Sequence, residues 1–188
     1  MANLEEWFAK GLTQQEYVRS MEVHKEHLLT VYNEFRLEED ERVYLQTLQS
    51  EGLRAVIITA DWCGDAMVNL PIFMRIAEES LIEARYLIRD ENLELMDQYL
   101  TNGRARSIPI IVIFNQTGEE VAKWGPRASE VEGILGEMKK EMPPKDSPDF
   151  EAAFKIFAQK MADIFTKDQQ IWNIVKSSQI ETIKNRVQ

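Results

Sequence analysis

The sequence carries one cysteine, Cys63, inside the stretch TADWCGDAMVNLP at 59–71. It lies between an apolar run and the start of a helical pattern, where unpaired amides and the positive end of a helix dipole stabilise a thiolate, the nucleophilic form of cysteine. Trp62 shields one side of the sulfur, and Gly64 permits close approach by another backbone. Asp61 and Asp65 work the other way, because neighbouring carboxylates oppose a second negative charge. Two readings follow: Cys63 as the nucleophile of thiol–disulfide exchange, or as a cysteine retained on a scaffold that only binds. A single thiol attacks a disulfide to give a mixed disulfide, but exchange proceeds one sulfur at a time, so a thiol from outside the chain has to release the product.

The elements that must position Cys63 read as follows. LRAVIIT, from Leu53, is a continuous β-branched run of the kind that forms a strand buried on both faces. CGDAMVNLPIFMRIAEES reads as a helix with Met67, Leu70, Phe73, Met74 and Ala77 inward and an expected kink at Pro71. A strand at ARYLIR, a helix at NLELMDQYL, a turn at TNGRARS, the strands IIVIFN and VAKW around QTGEE, and a helix from about Ser129 to Glu141 complete a βαβα, hairpin, α order.

Before this core, Thr13 and Glu16 have capping-box spacing. Tyr17, Met21, His24, Leu28, Val31, Tyr32 and Phe35 then form one stripe at helical spacing. EEDERVYLQTLQSEG reads as a second helix with Val43, Leu45 and Leu48 inward and Gly52 as its stop. After the core, the proline-rich MPPKDSPDF breaks the helix pattern, and a stripe from Phe150 through Phe154, Phe157, Met161, Ile164 and Phe165 to Ile171, Trp172 and Val175 follows. That stripe packs back on its own domain or supplies a homodimer face. The expected division is a helical extension at 1–52, a core domain at 53–141, a linker at 142–149 and a helical arm at 150–188.

Composition narrows the partners. Of 188 residues, 44% are hydrophobic and 29% charged, the balance of an ordinary globular chain. Thirty-two acidic against 22 basic side chains give −10, which repels phosphate backbones and anionic membranes, so neither nucleic acid nor membrane is expected as a partner. No apolar run reaches membrane-spanning length and MANLEEWFAKGL lacks the pattern of a leader, so a cytoplasmic location is expected. One cysteine excludes an internal disulfide and suits a reducing compartment. His24 and His27 lie three apart with no third ligand group in view, His24 on the apolar stripe and His27 toward solvent, so no metal or cofactor is expected. Arg104 and Arg106 either offset Asp61 and Asp65, receive an anionic thiol, or are solvated loop charges.

Over residues 53–141 the strand, WCGDA, a proline eight residues after the cysteine, SIP before a strand, and a glycine after the hairpin resemble the thioredoxin family. The resemblance implies a three-layer α/β/α core with a mixed sheet, here with an N-terminal helical pair and a C-terminal helical arm. It also implies a cis bond before Pro109, a substrate segment paired on the backbone of Ile108, and substrate contact at Trp62, Gly64, Pro109 and Gly125. Disulfide-reducing members carry W-C-G-P-C; here Asp65 replaces the proline and Ala66 the second cysteine. The acid many members place six residues before the cysteine is Ile57. The implied activity is monothiol exchange through Cys63 with a protein or low-molecular-weight thiol or disulfide. The alternatives are a non-catalytic module that binds peptide or protein, and an iron–sulfur carrier like the C-G-F-S glutaredoxin relatives, whose motif this chain departs from at two of four positions.

Overall fold

A computed structural model describes residues 3–187. In chain order the elements are α1 (Leu4–Lys10), α2 (Gln14–Ser20), α3 (Lys25–Glu34), α4 (Glu39–Gln46), β1 (Arg54–Thr59), α5 (Ala66–Ser80), β2 (Glu83–Ile88), α6 (Leu93–Met96), β3 (Ile110–Phe114), β4 (Glu120–Trp124), α7 (Ser129–Lys140), α8 (Phe150–Lys167) and α9 (Gln169–Lys184). The sheet order is β2-β1-β3-β4, with β1 parallel to β2 and antiparallel to β3, and β3 antiparallel to β4. The β-branched run at 54–59 takes the central position expected of a strand buried on both faces.

Strand side chains alternate between faces, so the register assigns each helix to a layer. Arg54 pairs with Phe114, and the Phe8 ring of α1 meets Phe114 edge to face at 5.7 Å, which places α1 on the Arg54 face. Tyr17 of α2 stacks on Tyr86 at 4.9 Å, and the Trp124 indole donates to Ser178 of α9 at 2.9 Å, both on the Ile57 face. Helices therefore cover both faces of a mixed sheet, the three-layer arrangement read from the sequence. Both outer strands are also engaged. Leu12 exchanges backbone hydrogen bonds with Tyr86 of β2, and the Val187 amide donates to the Val121 carbonyl of β4.

The capping box forms as spaced, with the Glu16 amide donating to Thr13 Oγ1 and the Thr13 amide to the Glu16 carboxylate. The helix it starts does not run to Phe35. It ends at Ser20, and His24 sits at φ +60° before α3 begins. The cause lies outside the helix: the Glu22 and Val23 amides donate to Asp61, so these groups are satisfied across the fold rather than along a helical turn. The expected N-terminal pair thus resolves into α1 to α4. Leu45 and Leu48 are buried as read, but Val43 is 54% exposed because α4 rests on its Leu45 side. His27 is half-buried rather than facing solvent. The helix expected at 92–100 is confined to Leu93–Met96.

The C-terminal stripe divides at Asp168, whose carboxylate accepts from the Gln170 amide and caps α9. α9 packs on α5, β4 and α7, with Ile171, Trp172, Val175, Ile180 and Ile183 buried. α8 is held less deeply. It buries Phe157 and Phe165 and leaves Phe154 half-exposed, although Phe154 falls on the stripe. α5 runs through Pro71 as one helix and is the hub of the packing, touching α3, α4, α8 and α9.

Candidate functional site

Cys63 stands in the turn that carries the chain from β1 into α5. Its amide donates to the Ala60 carbonyl at 3.1 Å, and the Ala66 amide returns to the Cys63 carbonyl at 3.1 Å, so the turn is closed before the helix starts. Asp65 occupies the N-cap position, where a carboxylate commonly accepts from the first helical turn. It makes no such bond. Both carboxylate oxygens accept from Arg127, from Nε at 2.6 Å and Nη2 at 2.7 Å, and Arg127 also pairs with Glu132.

The thiol faces the loop before β3. Cys63 Sγ donates to the Ile108 carbonyl at 3.3 Å and is buried. The Ile108–Pro109 bond is cis, as the resemblance implies, and a second cis bond joins Gly125 to Pro126. The two loops touch: a Cβ at Gly125, whose φ is +120°, would lie 2.2 Å from the Pro109 carbonyl oxygen. Only glycine allows this approach. Asn69 of α5 donates to the Pro126 carbonyl at 3.1 Å and fixes the second loop to the helix that starts at the site.

The opposing influences on Cys63 resolve in favour of the protonated form. Burial is the largest and raises the thiol, and the Asp65 charge raises it further. The Asp65 and Ala66 amides and Arg127 pull it down, and the balance stands at about 11. Asp65 is itself shifted upward by burial, against the pull of Arg127. Asp61 is lowered: burial acts upward, but the Glu22 and Val23 amides it accepts outweigh that effect.

A cleft of about 570 Å³ opens beside the thiol, bounded by Trp62, Asp65, Ile108 and Pro126 with Arg89, Arg106 and Arg127 on its walls. Trp62 is 48% exposed at the rim, with its indole nitrogen on Asp90 at 3.0 Å and the Arg89 guanidinium 4.4 Å above its ring. Arg106 is held two-pronged by Asp97 at 2.6 and 2.9 Å, and Arg104 is exposed. The cation that neutralises Asp65 is Arg127, which sequence reasoning passed over. A signal existed: Asp65 opens a buried helix and needs a partner, and Arg127 lies two residues past Gly125, already placed at the site.

The structure brings Trp62, Cys63, Ile108, Pro109 and Gly125 together. Gly64 meets a side chain rather than a backbone, because a Cβ there would lie 2.4 Å from the Met161 methyl of α8. α8 thus closes over the Gly64 flank, and the cleft opens on the other side. Ile57 is fully buried at the centre of the sheet. The His24 and His27 rings lie tilted to one another with centroids 5.7 Å apart, and no cluster of three metal-ligating side chains exists among the described residues. Among them, too, no helix is long and apolar enough to cross a membrane.

A family model described as Thioredoxin matches residues 11–141. No curated protein matches the chain. A crystal structure of a protein of unknown function from Pseudomonas aeruginosa is similar at 15% identity with a TM-score of 0.63, covering 94% of this chain and 99% of that one. An HIV epitope scaffold gives 13% identity and a TM-score of 0.61 over 94% and 99%. A thioredoxin variant from Halobacterium salinarum aligns at 25% identity with a TM-score of 0.34, over 54% of this chain and 88% of its own. The first two share the fold along nearly the whole chain, flanking helices included.

Proposed function

This chain belongs to the thioredoxin family, and on that premise we propose that it is a docking member, whose Cys63 cleft binds an extended segment of a partner protein without exchanging disulfides with it. The observation that carries this reading is the state of the thiol. Cys63 is buried, donates to the Ile108 carbonyl and stands at about 11, so near neutral pH almost none of it is the thiolate that attacks a disulfide. With one cysteine in the chain, no second thiol resolves a mixed disulfide. The cleft keeps what docking requires: an aromatic rim at Trp62, a backbone carbonyl at Ile108 and a volume of about 570 Å³. A single cysteine fits a reducing compartment, and we place this activity in the cytoplasm.

A second reading, monothiol exchange resolved by an external thiol, is favoured by one feature: Cys63 lines the open cleft against the loop of Pro109. One experiment separates the two. A photo-crosslinking residue at Ser107, on the cleft wall, is used to capture partners with wild-type, Cys63→Ser and Trp62→Ala chains. Docking predicts the same captured protein with and without the thiol and its loss in Trp62→Ala. A captured set that disappears with Cys63→Ser, together with a glutathione adduct on Cys63 at neutral pH, transfers the assignment to exchange.

A further inference from the structure

We propose a second binding site, independent of the Cys63 cleft, that takes the phosphoryl group of a small phosphomonoester. A basin of about 520 Å³ lies where the loop after α3 meets α4 and α5, with Arg36, Arg42 and Arg75 converging on it from those three segments. It has no residue in common with the cleft.

The hydrogen-bond inventory of this basin is lopsided. Arg36 has no carboxylate within ion-pair distance among the described residues. Its Nη1 donates to the carbonyls of Asn33 at 2.6 Å and Phe35 at 2.7 Å, which leaves Nε and Nη2 without acceptors. Arg42 reaches Glu79 at 3.2 Å and Glu39 at 3.4 Å, and Arg75 reaches Glu78 at 3.2 Å, with Nη2 of both unused. These are the three longest ion pairs among the described residues. Outside the basin Arg106 is gripped two-pronged by Asp97 at 2.6 and 2.9 Å and Arg127 by Asp65 at 2.6 and 2.7 Å, and no arginine of the basin is held by a carboxylate in this way.

The acceptors in the basin are already committed. Glu78 takes Tyr32 Oη at 2.6 Å, Gln14 at 3.1 Å and Arg75, and Glu79 takes Gln46 at 2.6 Å and Arg42. What remains is a set of guanidinium N–H groups from three directions, with three arginines against two glutamates lining the basin of a chain whose net charge is −10. Guanidinium forks match the oxygens of phosphate and carboxylate. Arg36 offers a free Nε/Nη2 fork and Arg42 and Arg75 one free Nη2 each, so a group with three terminal oxygens can accept from all three arginines, whereas the two oxygens of a carboxylate leave one arginine unmatched. The basin is much larger than a phosphoryl group, and Phe35 and Leu37 give the carbon part of an ester an apolar wall.

Isothermal titration of the full chain with inorganic phosphate and with phenyl phosphate, at low ionic strength, tests this site and separates the free anion from its ester. Both probes are expected to bind saturably, phenyl phosphate more tightly. Arg36→Gln should weaken phenyl phosphate by about tenfold or more, the usual worth of a charge-assisted hydrogen bond. Its thermal transition should fall only slightly, because Arg36 holds two carbonyls at the end of α3 but no carboxylate. Arg106→Gln, in the cleft, should leave binding unchanged. Three results overturn the proposal: no saturable binding of either probe, weakening by Arg106→Gln rather than by Arg36→Gln, or tighter binding of inorganic phosphate than of phenyl phosphate.

Discussion

After burial, the largest influence on the Cys63 thiol comes from Asp65, the position where the disulfide-reducing motif has proline. Its carboxylate adds a charge beside a thiol that burial already holds protonated, and the Arg127 ion pair returns only part of that effect. Asp65→Asn removes the carboxylate and leaves the Arg127 charge no longer offset by its bidentate partner. Both changes favour thiolate, so the midpoint of the pH profile for iodoacetamide alkylation of Cys63 should fall from about 11 by roughly one unit, the size of effect expected from one close charge. An unchanged midpoint would show that burial alone sets the thiol. The sign of this balance was not legible in the sequence, which places both carboxylates and the helix start beside Cys63 but contains no measure of burial. Arg127 stands 62 positions from Asp65, so the only sequence signal for it is indirect, its place two residues past Gly125.

At the scale of elements, the site depends on two loops meeting at their backbones. Gly125 holds φ +120° against the Pro109 carbonyl, and a methyl group there has nowhere to go. Gly125→Ala should therefore cost about 2 kcal/mol or more in urea denaturation, from the backbone conformation together with the displaced Pro109 loop. It should also shift the Ser107 crosslinking pattern, because the displaced loop forms the wall of the cleft. A wild-type midpoint in urea would mean that the loops separate freely. The strands and the α5 helix were legible because a β-branched run and a four-residue turn of apolar side chains are local signals. The break at His24 was not. Apolar spacing counts residues, and it continues unaltered through a segment whose amides turn aside to Asp61. Val43 and Phe154 fall at correct helical spacing and still face outward, because the width of a buried face is set by the partner helix.

At the scale of the whole molecule, the C-terminal arm is part of the core that builds the site rather than an attachment to it. Gln179 of α9 donates to the Asn69 carbonyl at 2.9 Å, and Asn69 in turn holds the Pro126 loop, so a chain of buried polar contacts runs from the arm to the cleft. Lys176, buried in α9, pairs with Glu41 of α4 at 2.8 Å and ties the last helix to the N-terminal layer. Burying Ile171, Trp172, Val175, Ile180 and Ile183 contributes on the order of 10 kcal/mol at roughly 2 kcal/mol per large apolar side chain, an upper figure given residual structure in the unfolded chain. That is comparable to the roughly 5–15 kcal/mol by which a domain of this size is stable. A chain ending at Glu141 loses this burial and uncovers the sides of α5 and β4 on which α9 packs, Trp124 among them, so it should show no cooperative thermal transition and should bind a hydrophobic dye. Full-length protein carrying Lys176→Ala should still fold but melt earlier, by about 3 kcal/mol, because Glu41 is left without its buried cation. A truncated chain with a sharp wild-type transition would show that residues 1–141 carry the fold alone, and the cleft would then owe its shape to the βαβ core without the arm.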